Sequence, residues 1–351
     1  MIIQDTFASR LIEWYEYHKR DLPWRHTNDP YQIWLSEIIL QQTRVKQGLP
    51  YYENFVKSFP TVFDLAAAPE QEVLRLWQGL GYYSRARNMQ ETAKVIVNQY
   101  NGLFPNSYIN LVKLKGIGPY TAAAIASFAF KESVAVLDGN VFRVLARLYG
   151  LETDIATTKA KTIFSTLANQ LISSDSPDLY NQAIMEFGAI QCTPSSPDCL
   201  LCPFQQECEA FLTGRQNVLP IKRKKTVIKN RFFHYIVFHI HNRIAMRLRA
   251  SKDIWQGLYD FWLSENDSII DTEDLLKQHN LDLSDTVYTI KEPQKVYTHL
   301  LSHQHIEARF WHIQLETLPQ IQEGLTFYTL EEAEQLPKPI LINKYLSEHF
   351  F

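Results

Sequence analysis

Cysteine is scarce in this chain of 351 residues: there are four, and all of them fall between Cys192 and Cys208. A secreted protein held together by disulfides would distribute its cysteines to join distant loops, so this confinement favours a reducing compartment. Long apolar runs are also missing, because no uncharged stretch reaches the roughly 18 residues that a membrane span needs. We therefore expect a cytoplasmic protein without an export signal or a membrane segment.

A large net charge is missing as well, since the formal charge is -3. The distribution is uneven: residues 1–231 carry 25 Lys and Arg against 21 Asp and Glu, whereas residues 232–351 carry 10 against 17. A groove that binds nucleic acid needs local rather than net positive charge. The asymmetry permits phosphate binding by the first part of the chain without requiring it.

The chain is long enough for two domains. In its first two thirds, apolar residues recur at helical spacing between prolines, which predicts many short helices. Later runs such as FFHYIVFHI and RIAMRLRA predict strands, with a helix over 272–279. The stretch 215–231 has seven basic residues and no acidic one, which fits a solvated linker or an exposed connector on DNA phosphates. The sequence predicts an all-α region over 1–214, a basic interdomain connector over 215–231 and an α+β domain over 232–351.

The segment LVKLKGIGPYTAAAIASFAF predicts a helix end, a tight turn at Gly116 and Gly118, and a second helix that starts at Pro119. Backbone amides at the start of that helix suit an anion such as a DNA phosphate, although an ordinary helix-helix turn has the same pattern. Downstream, Asp138 and Asn140 stand at the entrance to an amphipathic helix. Asp138 is either a simple N-cap or a carboxylate that the helix N-terminus keeps ionised beside a developing positive charge.

A second carboxyl, Glu37, lies in the helical segment DPYQIWLSEIILQQTRV. Its neighbours at three and four residues' distance are mostly apolar. A carboxyl on such a face resists ionisation and can remain protonated near neutral pH, as a general acid must. At the edge of the helix it would instead reach water.

The cysteines follow the spacing Cys-x6-Cys-x2-Cys-x5-Cys. Thiolates at such short intervals can wrap one [4Fe-4S] cluster, whereas zinc sites more often use two separated CxxC pairs. Structural zinc and disulfides remain alternatives on spacing alone.

The hairpin motif, the segment VLDGNVFRVLARL and the cysteine spacing together resemble the helix-hairpin-helix DNA glycosylase superfamily. LPWR, WLSEIILQQT and LWQGLGYYSRARN are similar to adenine DNA glycosylases of the MutY type, through most of residues 7–212. The resemblance implies a hairpin over about 106–130, a cluster loop over 192–208 and a monomer that acts on double-stranded DNA containing adenine opposite 8-oxoguanine or guanine, associated with a bacterial nucleoid. It also implies a [4Fe-4S] cluster held by Cys192, Cys199, Cys202 and Cys208.

Lyase members of this superfamily have a lysine in G-x-G-x-K-T, where this chain has Tyr120. The amine for a Schiff base is missing at that position, which predicts hydrolysis rather than strand cleavage. By resemblance, Glu37 protonates adenine at N7, Asp138 stabilises the oxocarbenium-like sugar, and Tyr120 and Asn140 support Asp138. The extruded adenine occupies a pocket lined by further residues. The resemblance assigns that pocket to Arg25 and Glu186, and the DNA and 8-oxoguanine contacts to Gln42, Thr43, Leu80, Tyr82, Gly116, Gly118, Ser302 and His303.

The segment RIAMRLRASKDIWQGLYDFW resembles the opening of the Nudix-like domain of these enzymes, which helps to detect the oxidised guanine. The metal-binding pattern of an active Nudix hydrolase does not follow Gly257. Ser302 and His303 match the loop that contacts 8-oxoguanine in the family, with Leu301 where phenylalanine is usual. The alternating histidines His299, His303 and His305 do not by themselves predict a metal site.

Three other functions fit parts of the sequence. An endonuclease III type lyase would share the hairpin and the cysteines, but Tyr120 and the C-terminal domain oppose it. A non-catalytic DNA-binding module would be indicated by the loss of Glu37 or Asp138, and both are present. A Nudix hydrolase with a helical appendage lacks its metal-binding motif. Taken without the resemblance, LWQGLGYYSRARN favours a core aromatic cluster closed by a helix cap.

Overall fold

The structure, a computed structural model, describes residues 4–223, 228–250, 253–278, 287–317 and 324–351. Contacts divide the chain into two compact units, the first with residues 1–67 and 88–224 and the second with residues 68–87 and 225–351. No described helix is both long enough and apolar enough to cross a membrane.

The described residues up to 212 form helices joined by short turns and loops. The helices are α1 (Gln4–His18), α2 (Pro30–Leu40), α3 (Val45–Ser58), α4 (Val62–Ala67), α5 (Glu70–Leu76), α6 (Ser84–Tyr100), α7 (Tyr108–Leu111), α8 (Pro119–Phe130), α9 (Gly139–Leu148), α10 (Thr158–Leu171), α11 (Pro177–Glu186) and α12 (Glu209–Leu212). The first unit is all-α over its described residues, as the sequence predicts.

The helices that build the cavity of the first unit begin at clear sequence signals. Asp29 caps α2 by accepting a 2.9 Å hydrogen bond from the Tyr31 amide, and a proline takes the first helical position of both α2 and α8. Asp138 caps α9. Helix α2 packs on α8, and α11 packs on both α8 and α9. These contacts bring the middle of α2 and the start of α9 to the same part of the unit.

The second unit contains an eight-stranded mixed sheet. The strands are β1 (Lys229–Ile240), β2 (Arg243–Leu248), β3 (Tyr259–Asp260), β4 (Trp262–Asn266), β5 (Tyr288–Lys291), β6 (Tyr297–Leu300), β7 (Gln304–Leu315) and β8 (Thr326–Thr329). Strands β1 and β7 pair in parallel from Lys229 opposite Gln304, whereas the other pairs are antiparallel. The helices are α13 (Thr272–Gln278), α14 (Leu330–Gln335) and α15 (Ile340–His349). This confirms the predicted α+β fold of the second domain; the predicted last helical residue, 279, lies outside the described residues.

Two boundaries differ from the sequence reading. Residues 68–87, which the sequence assigns to the helical region, group by contacts with the second unit. The strand β1 begins at Lys229, inside the predicted basic connector, and Arg231 is buried and paired with Asp253 and Glu265. Arg215, at the other end, pairs with Glu152. Arg215 and Arg231 are thus already paired within their own units. Phosphate contacts by the connector would have to be made by the exposed lysines and arginine that lie between these two residues in sequence. Residues 224–227 lie outside the described residues.

Candidate active site

One cavity of the first unit, of about 570 Å³, collects most of the predicted chemistry. It is lined by residues from α2, α8, α9 and α11 and from the loops before α2 and after it. The predicted residues among its lining are Arg25, Glu37, Thr43, Tyr120, Asp138, Asn140 and Glu186. The cavity therefore joins two carboxyls that are 101 positions apart in sequence.

Glu37 is a buried carboxyl near the C-terminal end of α2, with 6% of its surface exposed. Burial raises its pKa from 4.5 to about 7, and the negative charge of Asp138 acts in the same direction. The Tyr120 hydroxyl and the Arg25 guanidinium oppose this shift only in part. Near neutral pH a large fraction of Glu37 is therefore protonated and able to donate a proton, as the apolar neighbours predict.

Asp138 has a different environment because it caps α9. One carboxyl oxygen accepts a hydrogen bond of 2.8 Å from the Val141 amide, and the other accepts one of 2.7 Å from Asn140 Nδ2. Burial raises the pKa of Asp138, while these donors and Arg143 lower it. Asp138 is therefore the N-cap of α9, and burial opposes the ionisation that the helix N-terminus favours.

Asn140 connects Asp138 to an arginine on the next turn. Its Oδ1 accepts a 2.8 Å hydrogen bond from Arg143, whose Nε donates to the carbonyl of Cys192 at 2.7 Å. The amide of Asn140 is therefore held in one orientation, with its nitrogen on Asp138. This arrangement supports the predicted role of Asn140 as a support for Asp138.

Glu186 lines the cavity, but its carboxylate is paired with two arginines. Arg20 donates to both oxygens at 2.8 and 2.7 Å, and Arg25 donates to one at 2.7 Å. Burial opposes ionisation of Glu186, yet these hydrogen bonds outweigh it and lower its pKa to about 2. Glu186 is thus arranged to position Arg25 rather than to accept a proton.

The sequence analysis missed several lining residues, among them Arg20, Trp24, Gln182 and Met185. Gln182 lies four positions before Glu186 on α11 and so shares its helix face. That spacing could have identified it. Arg20 shows no comparable signal, because its partner is 166 positions away.

The four cysteines line a second cavity of the first unit, together with Arg147 and Phe204. Arg147 donates to the Cys192 sulfur at 3.3 Å and to the Thr193 carbonyl at 2.7 Å. Over the described residues, no three Cys, His, Asp or Glu side chains are arranged to hold a single metal ion. The four thiols line one cavity with the Arg147 guanidinium beside them. This set of sulfur donors fits a metal cluster better than a single metal ion.

The predicted DNA contacts of the first unit lie at two backbone features. Gly116 adopts φ +76° in the turn between α7 and α8, and Gly118 is exposed with open space where a side chain would be. Gln42 is exposed with φ +56° directly after α2, whereas Thr43 is half-buried at the cavity. The hairpin and the turn after α2 both leave backbone accessible from outside.

The remaining predicted residues meet in the second unit. A cavity of about 470 Å³ is lined by Leu80, Tyr82, Ser302 and His303, and the Tyr82 and Ser302 hydroxyls are hydrogen-bonded. Tyr82 is 43% exposed, whereas Leu80 is 7% exposed. The structure therefore presents Tyr82 at the surface and holds Leu80 largely inside, so Leu80 could reach a DNA base only after the loop moves.

Comparison with known proteins agrees with this fold and site. Residues 35–170 match the model of the HhH-GPD superfamily of base excision DNA repair proteins, and residues 234–348 match the model of the NUDIX domain. The hairpin and the carboxyl-lined cavity thus belong to a helix-hairpin-helix protein of base excision repair with a Nudix-like C-terminal domain.

Similar proteins define the family within this class of base excision repair proteins. The adenine DNA glycosylase of Buchnera aphidicola subsp. Baizongia pistaciae is 35% identical over 296 residues, which cover 80% of this chain and 83% of that protein. The same enzyme of Buchnera aphidicola subsp. Schizaphis graminum is 33% identical over 299 residues, covering 85% and 86%. The chain belongs to the adenine DNA glycosylase family. A solved thermostable thymine-DNA glycosylase is 28% identical with a TM-score of 0.55, covering 60% of this chain and 97% of that one.

Proposed function

We propose that this protein is a monofunctional adenine DNA glycosylase, which hydrolyses the N-glycosidic bond of adenine opposite 8-oxoguanine or guanine in duplex DNA. The observation that carries the proposal is the pair of carboxyls, Glu37 and Asp138, in one cavity. One is buried with a raised pKa and the other receives hydrogen bonds from a helix N-terminus. The names of the relatives support adenine as the base.

The chemistry divides between the two carboxyls. The protonated Glu37 transfers its proton to N7 of adenine while the bond between the sugar C1′ and N9 breaks, and the bonding electron pair leaves with the base. The sugar becomes oxocarbenium-like, and the Asp138 carboxylate stabilises that positive charge. Water then adds to C1′ and loses a proton, which Glu37 can accept. An abasic site and free adenine result.

Hydrolysis without strand cleavage follows from Tyr120, which lines the cavity at the position of the lyases' lysine. One lysine, Lys46, does line the cavity, and its side chain is exposed. A nucleophilic lysine is typically desolvated in an apolar pocket or lies beside another cation, and an exposed side chain is not desolvated in that way. Borohydride trapping of wild type and Lys46→Ala on the same duplex tests this: covalent adduct in wild type that Lys46→Ala removes would show lyase chemistry at Lys46.

We infer that DNA is held by the hairpin amides at Gly116 and Gly118 and that the flipped adenine enters the carboxyl cavity. Gln42 and Thr43, on the turn that borders the cavity, would contact the DNA from which adenine leaves. On the opposite strand, Tyr82 would stack beside the 8-oxoguanine, and Ser302 and His303 would offer polar contacts to it. The hydrogen bond between Tyr82 and Ser302 supports a common role for the two loops.

We also infer that Cys192, Cys199, Cys202 and Cys208 hold a [4Fe-4S] cluster. Their donor set fits the group, since four sulfurs and Arg147 surround one cavity. A bound cluster would link the four cysteines covalently. Arg143 of α9 contacts both the Cys192 carbonyl and Asn140, so the cysteine loop and the support of Asp138 share this residue.

The test is single-turnover release of adenine from a duplex with adenine opposite 8-oxoguanine, with a parallel duplex carrying thymine opposite guanine. Glu37→Gln and Asp138→Asn remove the acid and the anion; Glu53→Gln alters an exposed carboxyl of α3 and serves as the control. We expect release by wild type and the control alone, with strand breaks only after alkali. Release of thymine instead of adenine, or breaks without alkali, would refute the proposal.

A further inference from the structure

A buried tyrosine on α1 contacts the wall of the carboxyl cavity from behind. Tyr15 is 2% exposed, and its hydroxyl donates a 2.8 Å hydrogen bond to Oε1 of Gln182 on α11. Its ring also packs against the Arg25 guanidinium, 5.4 Å from the ring centroid. Gln182 and Arg25 both line the cavity, whereas Tyr15 does not.

The contact fixes which atom of the Gln182 amide faces inward. Burial raises the pKa of Tyr15 to about 12, so its hydroxyl keeps the proton and remains a donor. If the amide rotated, its nitrogen would face the phenol oxygen and the buried O–H would lose its acceptor, which costs free energy. The amide oxygen therefore belongs on Tyr15, and the two N–H donors of Gln182 belong on the cavity side.

An inward N–H recognises an acceptor and disfavours a donor. Adenine presents lone pairs at N1 and N3 of its six-membered ring, while N7 is the atom that Glu37 protonates in the proposed reaction. An amide of the opposite orientation would present its carbonyl oxygen and favour an N–H at the same place, such as N1–H of guanine or hypoxanthine. The orientation of one amide thus selects the class of purine.

We propose that Tyr15 is a positioning residue that determines base specificity: its hydroxyl holds the Gln182 amide with N–H toward a ring nitrogen of the flipped adenine. This inference rests on the proposed adenine glycosylase activity. The residue touches no substrate atom and acts only through Gln182.

The test combines a protein change with a substrate change. Single-turnover rates are measured for wild type and Tyr15→Phe on duplexes that carry adenine, 1-deazaadenine or 3-deazaadenine opposite 8-oxoguanine. We expect Tyr15→Phe to slow adenine release by about tenfold, which is the size of one net hydrogen bond. For the analogue that lacks the recognised nitrogen, the rate penalty should be about tenfold smaller in Tyr15→Phe than in wild type. On a fourth duplex with hypoxanthine opposite 8-oxoguanine, we expect Tyr15→Phe to raise the release of hypoxanthine relative to that of adenine.

The matched control is Tyr180→Phe, because Tyr180 is a buried tyrosine of the same unit whose hydroxyl has no hydrogen-bond partner among the described atoms. It should leave all the penalties unchanged. Gln182→Ala should remove the same rate penalty for the deaza analogue as Tyr15→Phe does, and the double variant should show no further change in that penalty. This comparison of rates on two substrates remains valid even if Tyr15→Phe lowers stability. Equal penalties in wild type and Tyr15→Phe for both analogues would overturn the inference alone. Absence of adenine release by wild type would overturn the proposed function and this inference with it.

Discussion

Replacing the proposed acid should make the protein more stable while it abolishes activity. Glu37 is buried and its pKa is raised from 4.5 to about 7. Below about pH 4.5 the carboxyl is protonated in both the folded and the unfolded chain, so the folded state carries no penalty. As the pH rises toward 7, the unfolded chain loses this proton and the folded chain keeps it, so the free energy of unfolding falls. In Glu37→Gln the side chain stays neutral at every pH.

The magnitude follows from the size of the shift. A change of one pKa unit corresponds to about 1.4 kcal/mol, so the shift of Glu37 amounts to about 3 kcal/mol of stability lost above pH 7. Since a glutamine side chain at this position has no such penalty, the variant should gain this amount at pH 8 and almost nothing at pH 4. For a unit of this size, each kcal/mol moves Tm by roughly 2–4 °C. We therefore expect Tm of Glu37→Gln to exceed that of wild type by roughly 6–12 °C at pH 8.

The assay is thermal unfolding of both proteins, followed at pH 4, 6 and 8, with Glu53→Gln as the control. The control changes an exposed carboxyl and should show no difference that grows with pH. A gain of equal size at all three pH values would mean that the amide stabilises by contacts rather than by its lack of charge. No gain at pH 8 would refute the raised pKa, and with it the reason for assigning Glu37 as the acid.

Four further predictions test other parts of the site. Single-turnover adenine release should fall about tenfold per pH unit above about pH 7, as Glu37 ionises; a flat profile to pH 9 would exclude it as the acid. The carboxyl of Glu186 has its pKa lowered to about 2, so its stabilising effect is present above about pH 4.5 and is lost toward pH 2. Glu186→Gln should therefore lower the free energy of unfolding by about 2 kcal/mol at pH 7, after allowance for the part-exposed Arg20, and much less at pH 2 in urea titrations. Cys202→Ser should reduce the bound iron and acid-labile sulfide. Unchanged contents of both would exclude Cys202 as a ligand of the cluster. Tyr82→Ala should lower the preference for 8-oxoguanine over guanine opposite adenine about tenfold, the size of one lost base stack, in competition between the two duplexes; an unchanged ratio would exclude stacking by Tyr82.

The sequence predicted the parts of the site that depend on local structure. Asp138 could be placed at a helix start from its neighbours, and Glu37 could be placed on a largely apolar face of a helix. Whether Glu37 reaches water could not be decided from α2 alone, because the helix is covered by α8, which lies far along the chain. The packing of these helices decides in favour of burial.

Contacts between distant segments account for what the sequence could not give. Tyr15 meets Gln182 across 167 positions, and neither residue stands in a recognisable motif. Residues 68–87 group with the second unit through contacts such as the hydrogen bond from Arg87 to the Gln256 carbonyl, across 169 positions. Arg231 belongs to the predicted basic connector, but its side chain on β1 is paired with Asp253 and Glu265. The composition of a segment gives the number of its charged residues but does not show which residue pairs with each of them.

The two carboxyls have different proposed roles because they occupy different positions in their helices. Glu37 lies near the C-terminal end of α2, where backbone amides are committed to the helix, so no backbone N–H compensates its charge and burial has the largest effect on its pKa. Asp138 stands at the N-cap of α9, where amides lack partners within the helix, and it accepts the Val141 amide and the Asn140 side chain. Both groups are buried. Asp138 accepts hydrogen bonds from a backbone amide and from Asn140, whereas Tyr120 and Arg25 lower the pKa of Glu37 only in part. The negative charge of Asp138 in turn raises the pKa of Glu37 and so favours a proton on Glu37. A general acid and an electrostatic stabiliser thus arise from two similar side chains, because one lies inside a helix and the other at a helix start.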